Sequence, residues 1–100
     1  MARLELSDGS LDDLDRFVDH LQKHESEGVA ARIDALVDAL DVLVHSPLIG
    51  RPVRGGKREL VIGSGHDGYV ALYRHVARVD TVFVLAFRSQ REESYPRRGK

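Results

Sequence analysis

Pro47 divides this chain into two halves written in different hydrophobic periods, and that switch restricts the fold more than any other feature. From Ser10 onward, Leu11, Leu14, Phe17, Val18 and Leu21 recur at helical steps and mark one face of a helix reaching about His24. Ser10 with Asp13 resembles a capping box, and Asp12, Asp13 and Asp15 suit the positive end of the helix dipole. The stripe breaks in His24-Glu25-Ser26-Glu27-Gly28. A second stripe of Val29, Ile33, Leu36, Val37, Leu40 and Val44 then predicts a helix to about His45. Ser46-Pro47 ends it, because proline disfavours the helical conformation at the residue before it. Two helices across so short a break form an antiparallel hairpin.

Beyond Pro47 the period shortens to two. Leu48 to Lys57 reads as a loop rich in Gly and Pro, and Arg58 to Ile62 as a short strand. Gly63-Ser64-Gly65-His66-Asp67-Gly68 is a turn, Tyr69 to Val76 a second strand, and Thr81 to Phe87 a third, joined through Ala77-Arg78-Val79-Asp80. The Thr81–Phe87 run is apolar on both faces and so marks an interior strand, covered on both sides or partly covered by a partner. Leu4 and Leu6 supply a further edge strand. The predicted order is β-α-α-β-β-β, an α+β fold in one domain over residues 1–100.

Composition removes several functions. Without cysteine there is no disulfide framework, thiolate zinc site, iron–sulfur cluster or cysteine nucleophile. No apolar run approaches the roughly 18 residues of a membrane span, and Met1 to Asp8 lacks the apolar core of a signal peptide, so the expected compartment is the cytosol. With no Trp, three Phe and three Tyr, the chain has no conspicuous platform for stacking bases. The formal charge of −1 conceals a split. Residues 1–50 carry 4 Lys/Arg against 11 Asp/Glu, a net of −7, whereas residues 51–100 carry 11 against 5, a net of +6. A basic half of this kind suits an anionic partner, unless the two halves pack together and their charges neutralise across one surface.

Candidate chemistry is sparse. His20 and His24 have the four-residue spacing of a metal-binding pair but no third ligand in pattern, so neither a metal nor a cofactor is expected. The Gly63–Gly68 turn joins two strands, and no helix N-terminus follows to hold a phosphate. Ser64, His66 and Asp67 are too local for a buried triad. The arginines are more telling. Alternation puts Val70, Leu72, Arg74 and Val76 on one face of their strand, and Arg58, Leu60 and Ile62 on one face of theirs with Glu59 opposite. Arg88 and Arg91 follow the most apolar strand, with Tyr95 beyond. Such forks bind phosphate or carboxylate, unless Arg58 or Arg74 pairs internally with Glu59 or Glu92.

The run Pro47-Leu48-Ile49-Gly50-Arg51-Pro52, then Arg58-Glu59-Leu60-Val61-Ile62, Tyr69-Val70-Ala71-Leu72-Tyr73-Arg74-His75 and Val82 to Glu92 resembles the RelE/ParE superfamily of type II toxins, closer to the ParE branch. The resemblance implies a helical hairpin packed on a small twisted, mostly antiparallel sheet. It also implies a cytoplasmic toxin neutralised by a cognate antitoxin. ParE-like members inhibit DNA gyrase and stabilise plasmids. RelE-like members are ribosome-dependent mRNA interferases, metal-independent endoribonucleases that use basic residues and a tyrosine. Arg91 and Tyr95 fall near the late arginine and tyrosine of that nuclease set. The arginine that follows its Gly-Tyr is replaced here, since Gly68-Tyr69 leads to Val70, and a valine cannot stabilise a phosphorane. The expected partner is therefore a small, partly disordered acidic antitoxin together with gyrase, the alternatives being the ribosome and mRNA or a non-toxic binding module. Arg58, Arg74, Arg88, Arg91 and Tyr95 are the expected contact residues for target or antitoxin. Membrane association and specific DNA binding by the chain alone are not expected.

Overall fold

A computed structural model describes residues 1–24, 28–63, 68–92 and 95. The elements run β1 (Arg3–Leu6), α1 (Asp8–His24), α2 (Val29–His45), β2 (Arg51–Val53), β3 (Lys57–Ile62), β4 (Tyr69–Val76) and β5 (Thr81–Ser89), with a 3-10 turn at Ala77–Val79. Five strands form one sheet in the order β1-β5-β4-β3-β2. β1 lies parallel to β5 at one edge, and all other pairs are antiparallel. The fold is α+β in the expected order, with one strand more than expected.

That additional strand is β2, inside the segment read as a loop. Arg51 pairs with Glu59 and Val53 with Lys57 in a tight hairpin with β3. Its turn needs the left-handed backbone, which Gly55 and Gly56 adopt at φ 83° and 73°. Pro52 is tolerated because β2 is an edge strand with one side unpaired. β3 accordingly starts at Lys57, and β5 continues to Ser89. Of the Gly63–Gly68 turn, residues 64–67 lie outside the described residues.

α1 begins before Ser10. Ser7 caps it: its Oγ accepts the Ser10 N–H at 3.1 Å, while the Ser10 hydroxyl donates to the Ser7 carbonyl at 2.8 Å. Asp13, expected in a cap, instead reaches from α1 to β5, where its carboxylate accepts the Phe87 N–H at 2.9 Å. The Ser7 hydroxyl donates to the Leu85 carbonyl at 3.0 Å. These two contacts serve the stretch of β5 that β1, which ends opposite Val84, is too short to cover.

Both helices contribute to one face of the sheet. Phe17, Leu36 and Leu43 join Ile62, Tyr69, Ala71, Tyr73, Val82, Val84 and Phe87 in one core, with Leu4, Leu6, Leu14, Leu40 and Leu60 packed against it. The rings of Phe17 and Tyr69 stack at 4.6 Å between α1 and β4. The expected helical stripes are slightly out of phase. Val37 and Leu11 face outward, while Leu43 and Ser10 are fully buried in their place.

Near the start of β2 the backbone approaches a core side chain closely. The Gly50 N–H donates to the buried Tyr73 hydroxyl at 2.8 Å. A Cβ on Gly50 would stand 2.7 Å from both the Glu59 carbonyl oxygen and that hydroxyl, so only glycine fits. Burial raises the pKa of Tyr73 above the ordinary phenol value, and the Gly50 bond offsets part of that rise.

Candidate functional site

The face of the sheet opposite the core carries no helix among the described residues. The register places Arg51, Glu59, Leu72 and Ala86 in one row across β2, β3, β4 and β5. A neighbouring row holds Val61, Val70 and Arg88. Between Leu72 and Tyr73 the pairing slips, so that Leu72 faces Ala86 while Tyr73 faces Val84. This irregularity lets β5 present both Val84 to the core and Ala86 and Arg88 to the open face.

The centre of the open face is Glu59, whose side chain is only 9% exposed. Arg51 donates to one carboxylate oxygen twice, from Nε at 3.1 Å and Nη2 at 2.7 Å. The Tyr95 hydroxyl donates to the other oxygen at 2.6 Å. Arg88 brings Nη2 to 4.0 Å from that same oxygen, and its guanidinium stands 5.3 Å from the centre of the Tyr95 ring. Arg88 Nη1 also donates to the Glu92 carbonyl at 2.8 Å, and the Ser89 N–H donates to the Glu92 carboxylate at 3.0 Å. Arg16 of α1 lies 3.7 Å from Glu92. The segment after β5 is thus fastened at Glu92 and at Tyr95.

The electrostatics follow from this geometry. Burial by itself raises the Glu59 pKa, but the Tyr95 hydroxyl and the Arg51 and Arg88 guanidiniums outweigh it and hold the carboxyl below its usual range. Glu59 is therefore ionised at neutral pH. Tyr95 is displaced the other way: burial and the adjoining carboxylate push its hydroxyl far above the ordinary phenol value. The pair is a proton donor and acceptor locked in one order.

The five expected contact residues divide. Arg88 and Tyr95 meet over Glu59. Arg74 also points to the open face but donates to the Gly55 carbonyl at 2.7 Å, steadying the β2–β3 turn. Arg58 lies on the other face and donates to the Leu48 and Gly50 carbonyls at 3.1 and 2.8 Å, holding the connection from α2 to β2. Neither pairs with Glu59 or Glu92. Arg91 sits exposed in the turn after β5. Arg51 was missed as a site residue, and Glu59 figured only as a possible partner for other arginines. The signal was the Gly55-Gly56 turn, about which Arg51 and Glu59 are spaced symmetrically. Among the described residues, no three His, Asp or Glu side chains are grouped as metal ligands. The His24 side chain lies outside the described residues.

The family model for the ParE toxin of the type II toxin–antitoxin system parDE matches residues 4–94. The chain belongs to the ParE toxin family. Solved structures share the fold of this ParE toxin. A chain of the chromosomal ParDE system from P. aeruginosa superposes with a TM-score of 0.72 at 22% identity, over 89% of this chain and 96% of that one. A chain of the intact E. coli RelBE toxin–antitoxin complex gives 0.59 at 20% identity, over 89% and 96%. A metal-bound toxin from Helicobacter pylori gives 0.53 at 16% identity, over 94% and 100%. Among curated proteins no match is found.

Proposed function

We propose that this ParE-family chain works in the cytoplasm by binding DNA gyrase, and that a cognate acidic antitoxin keeps it inactive until release. The observation that carries the reading is the closed state of the open-face cluster. Arg51 directs its donors at Glu59, Arg88 directs its own at Glu92, and Val70 stands opposite Arg88 where the nuclease branch has an arginine. Phosphoryl-transfer chemistry needs cationic donors aimed at the developing charge, and these are aimed at the protein itself. What remains is a surface for contact. An antitoxin partner is supported by analogy with the P. aeruginosa relative, described as part of a ParDE system, and the E. coli relative, described as a toxin–antitoxin complex. No helix among the described residues is long and apolar enough to cross a membrane, in keeping with a cytoplasmic site of action.

One observation favours a second reading, metal-independent cleavage of mRNA on the ribosome. The Tyr95 hydroxyl stands 2.6 Å from a carboxylate and beneath an arginine, a grouping that acid–base catalysis could use. Induction of the chain in bacteria, with plasmid supercoiling and mRNA integrity followed in parallel, separates the two. Gyrase binding predicts altered supercoiling before any loss of message. Early appearance of cleaved message with normal supercoiling would transfer the assignment to the nuclease reading.

A further inference from the structure

The open face combines three donors that would suit an oxyanion with an occupant that is already there. Arg51, Arg88 and Tyr95 come from β2, β5 and the tail, and all three converge on Glu59 of β3. Two guanidiniums and a hydroxyl around a point are the usual means of holding a phosphate or carboxylate. Here one carboxylate oxygen takes two bonds from Arg51, and the other takes the Tyr95 hydroxyl with Arg88 beside it. Glu59 is nearly buried, and its backbone is fixed on both sides by pairing with Arg51 and Leu72. It cannot swing far aside to make room.

We propose that Glu59 is a resident anion that specifies against phosphate: it occupies the Arg51–Arg88–Tyr95 donor set and so prevents this basic face from taking up phosphoryl groups, free or in nucleic acid. An incoming phosphate would meet a fixed negative charge at the point where the donors converge, and could gain their bonds only by breaking those of Arg51 and Tyr95 to Glu59 and that of Arg88 to the Glu92 carbonyl. The excess positive charge of residues 51–100 makes such a device useful, because cationic surfaces otherwise gather nucleic acid without specificity. This exclusion does not depend on gyrase being the target. A chain that bound any other protein through this half would need it equally.

Removing the carboxylate should convert the cluster into an anion site. Inorganic phosphate is titrated into the folded full-length chain, with the Arg side-chain and Tyr95 resonances followed by NMR, for the wild type, Glu59→Gln and Glu59→Ala. A short single-stranded RNA in a parallel titration distinguishes nucleic acid from free phosphate as the source. The wild type should give no saturable shift at Arg51, Arg88 or Tyr95. Glu59→Gln should bind phosphate roughly tenfold or more tightly than the wild type, and adding Arg88→Ala should remove the gain. Glu59→Ala covers the case in which the glutamine variant does not fold. Saturable binding of phosphate or RNA at these residues in the wild type would overturn the proposal whatever the variants do. A folded Glu59 variant that gained no affinity for phosphate would overturn it as well.

Discussion

The two faces of the sheet are held by different forces. On the covered face, Tyr73, Val82, Val84 and Phe87 pack against Leu36, Leu43 and Phe17 in a cluster that is mostly apolar. On the open face, Glu59, Arg51, Arg88 and Tyr95 make directed bonds that anchor the chain beyond β5. Apolar burial is non-directional and scales with area, whereas the polar cluster depends on charge state and on every partner being present. Damage to the first face should therefore unfold the molecule, and damage to the second should release the tail while the fold stands.

The largest effect should come from Leu43→Ala, which empties a fully buried position on α2 and should cost about 2–5 kcal/mol. For a domain of this size each kcal/mol lowers the melting temperature by roughly 4–8 °C, so calorimetry will register it easily. Val37→Ala on the same helix, at a position 57% exposed, should stay within about 0.5 kcal/mol of the parent. Equal losses at the two positions would mean that α2 does not pack as described.

Gly50→Ala comes next, because it tests the seam between the faces. The new methyl would press on the Glu59 carbonyl and the Tyr73 hydroxyl, a strain of about 1–3 kcal/mol. Tyr73→Phe removes one of the crowding atoms, while the ring Cε1 and the Glu59 carbonyl oxygen stay, and leaves the Gly50 N–H without its partner, at about 1–3 kcal/mol. Combined in one chain, the two should cost less than the sum of the single changes. Strict additivity in chemical denaturation would show that they do not share the contact.

Open-face substitutions should act on toxicity more than on stability. Arg88→Glu places a second carboxylate beside Glu59 and reverses the surface charge, and it should weaken growth inhibition strongly in a protein that still folds. Arg91→Glu, on the exposed turn, should weaken it by degrees. Tyr95→Phe deletes one hydrogen bond to an ionised carboxylate and should cost about 1.5–3 kcal/mol, with growth inhibition largely kept. Colony survival after induction, with folding checked by circular dichroism, ranks the three. Complete loss in Tyr95→Phe would favour the nuclease reading.

The smallest effect is the response to pH. Because Glu59 is held below the usual carboxyl range when folded, its stabilising contribution is complete at neutral pH. That contribution fades as the solution is acidified from the usual carboxyl range through the lower folded value. Tyr95 works in the opposite sense: its contribution is complete below the ordinary phenol value and is lost as pH rises through its higher folded one. Phenolate absorbance should accordingly show Tyr73 titrating above the ordinary phenol value and Tyr95 well above it. Glu59→Gln should bring the Tyr95 titration back toward the ordinary value.

Much of the architecture was legible because each half of the chain repeats one period. Val29–His45 and Tyr69–Val76 have the bounds that the pattern gives. What escaped was set by pairing instead. β2 is three residues with a proline, too short for any pattern, and it exists because the Gly55-Gly56 turn folds it onto β3. The start of α1 escaped because Ser7 serves both the helix and the Leu85 carbonyl, a contact no local motif encodes. In the site, alternation placed Glu59 opposite Arg58 and placed Arg74 with Val70. It could not show that Arg51 and Arg88 reach the same carboxylate, since that depends on β4 standing between β3 and β5.

The parallel seam between β1 and β5 has a consequence for how the molecule comes into being. Arg3 lies opposite Thr81 and Leu6 opposite Val84, so β1 pairs with a strand made about 75 residues after it. Helices form within about a microsecond and hairpins within about ten, but this pairing must wait for the whole intervening chain to be made. It then closes a loop spanning most of the sequence, which slows folding further. A nascent chain ending before Thr81 would hold both helices and the β2–β4 meander while its N-terminal strand had nothing to join. During that interval the Leu4 and Leu6 side chains stay in water, and a binding protein made alongside would meet an unfinished sheet before it met a finished one.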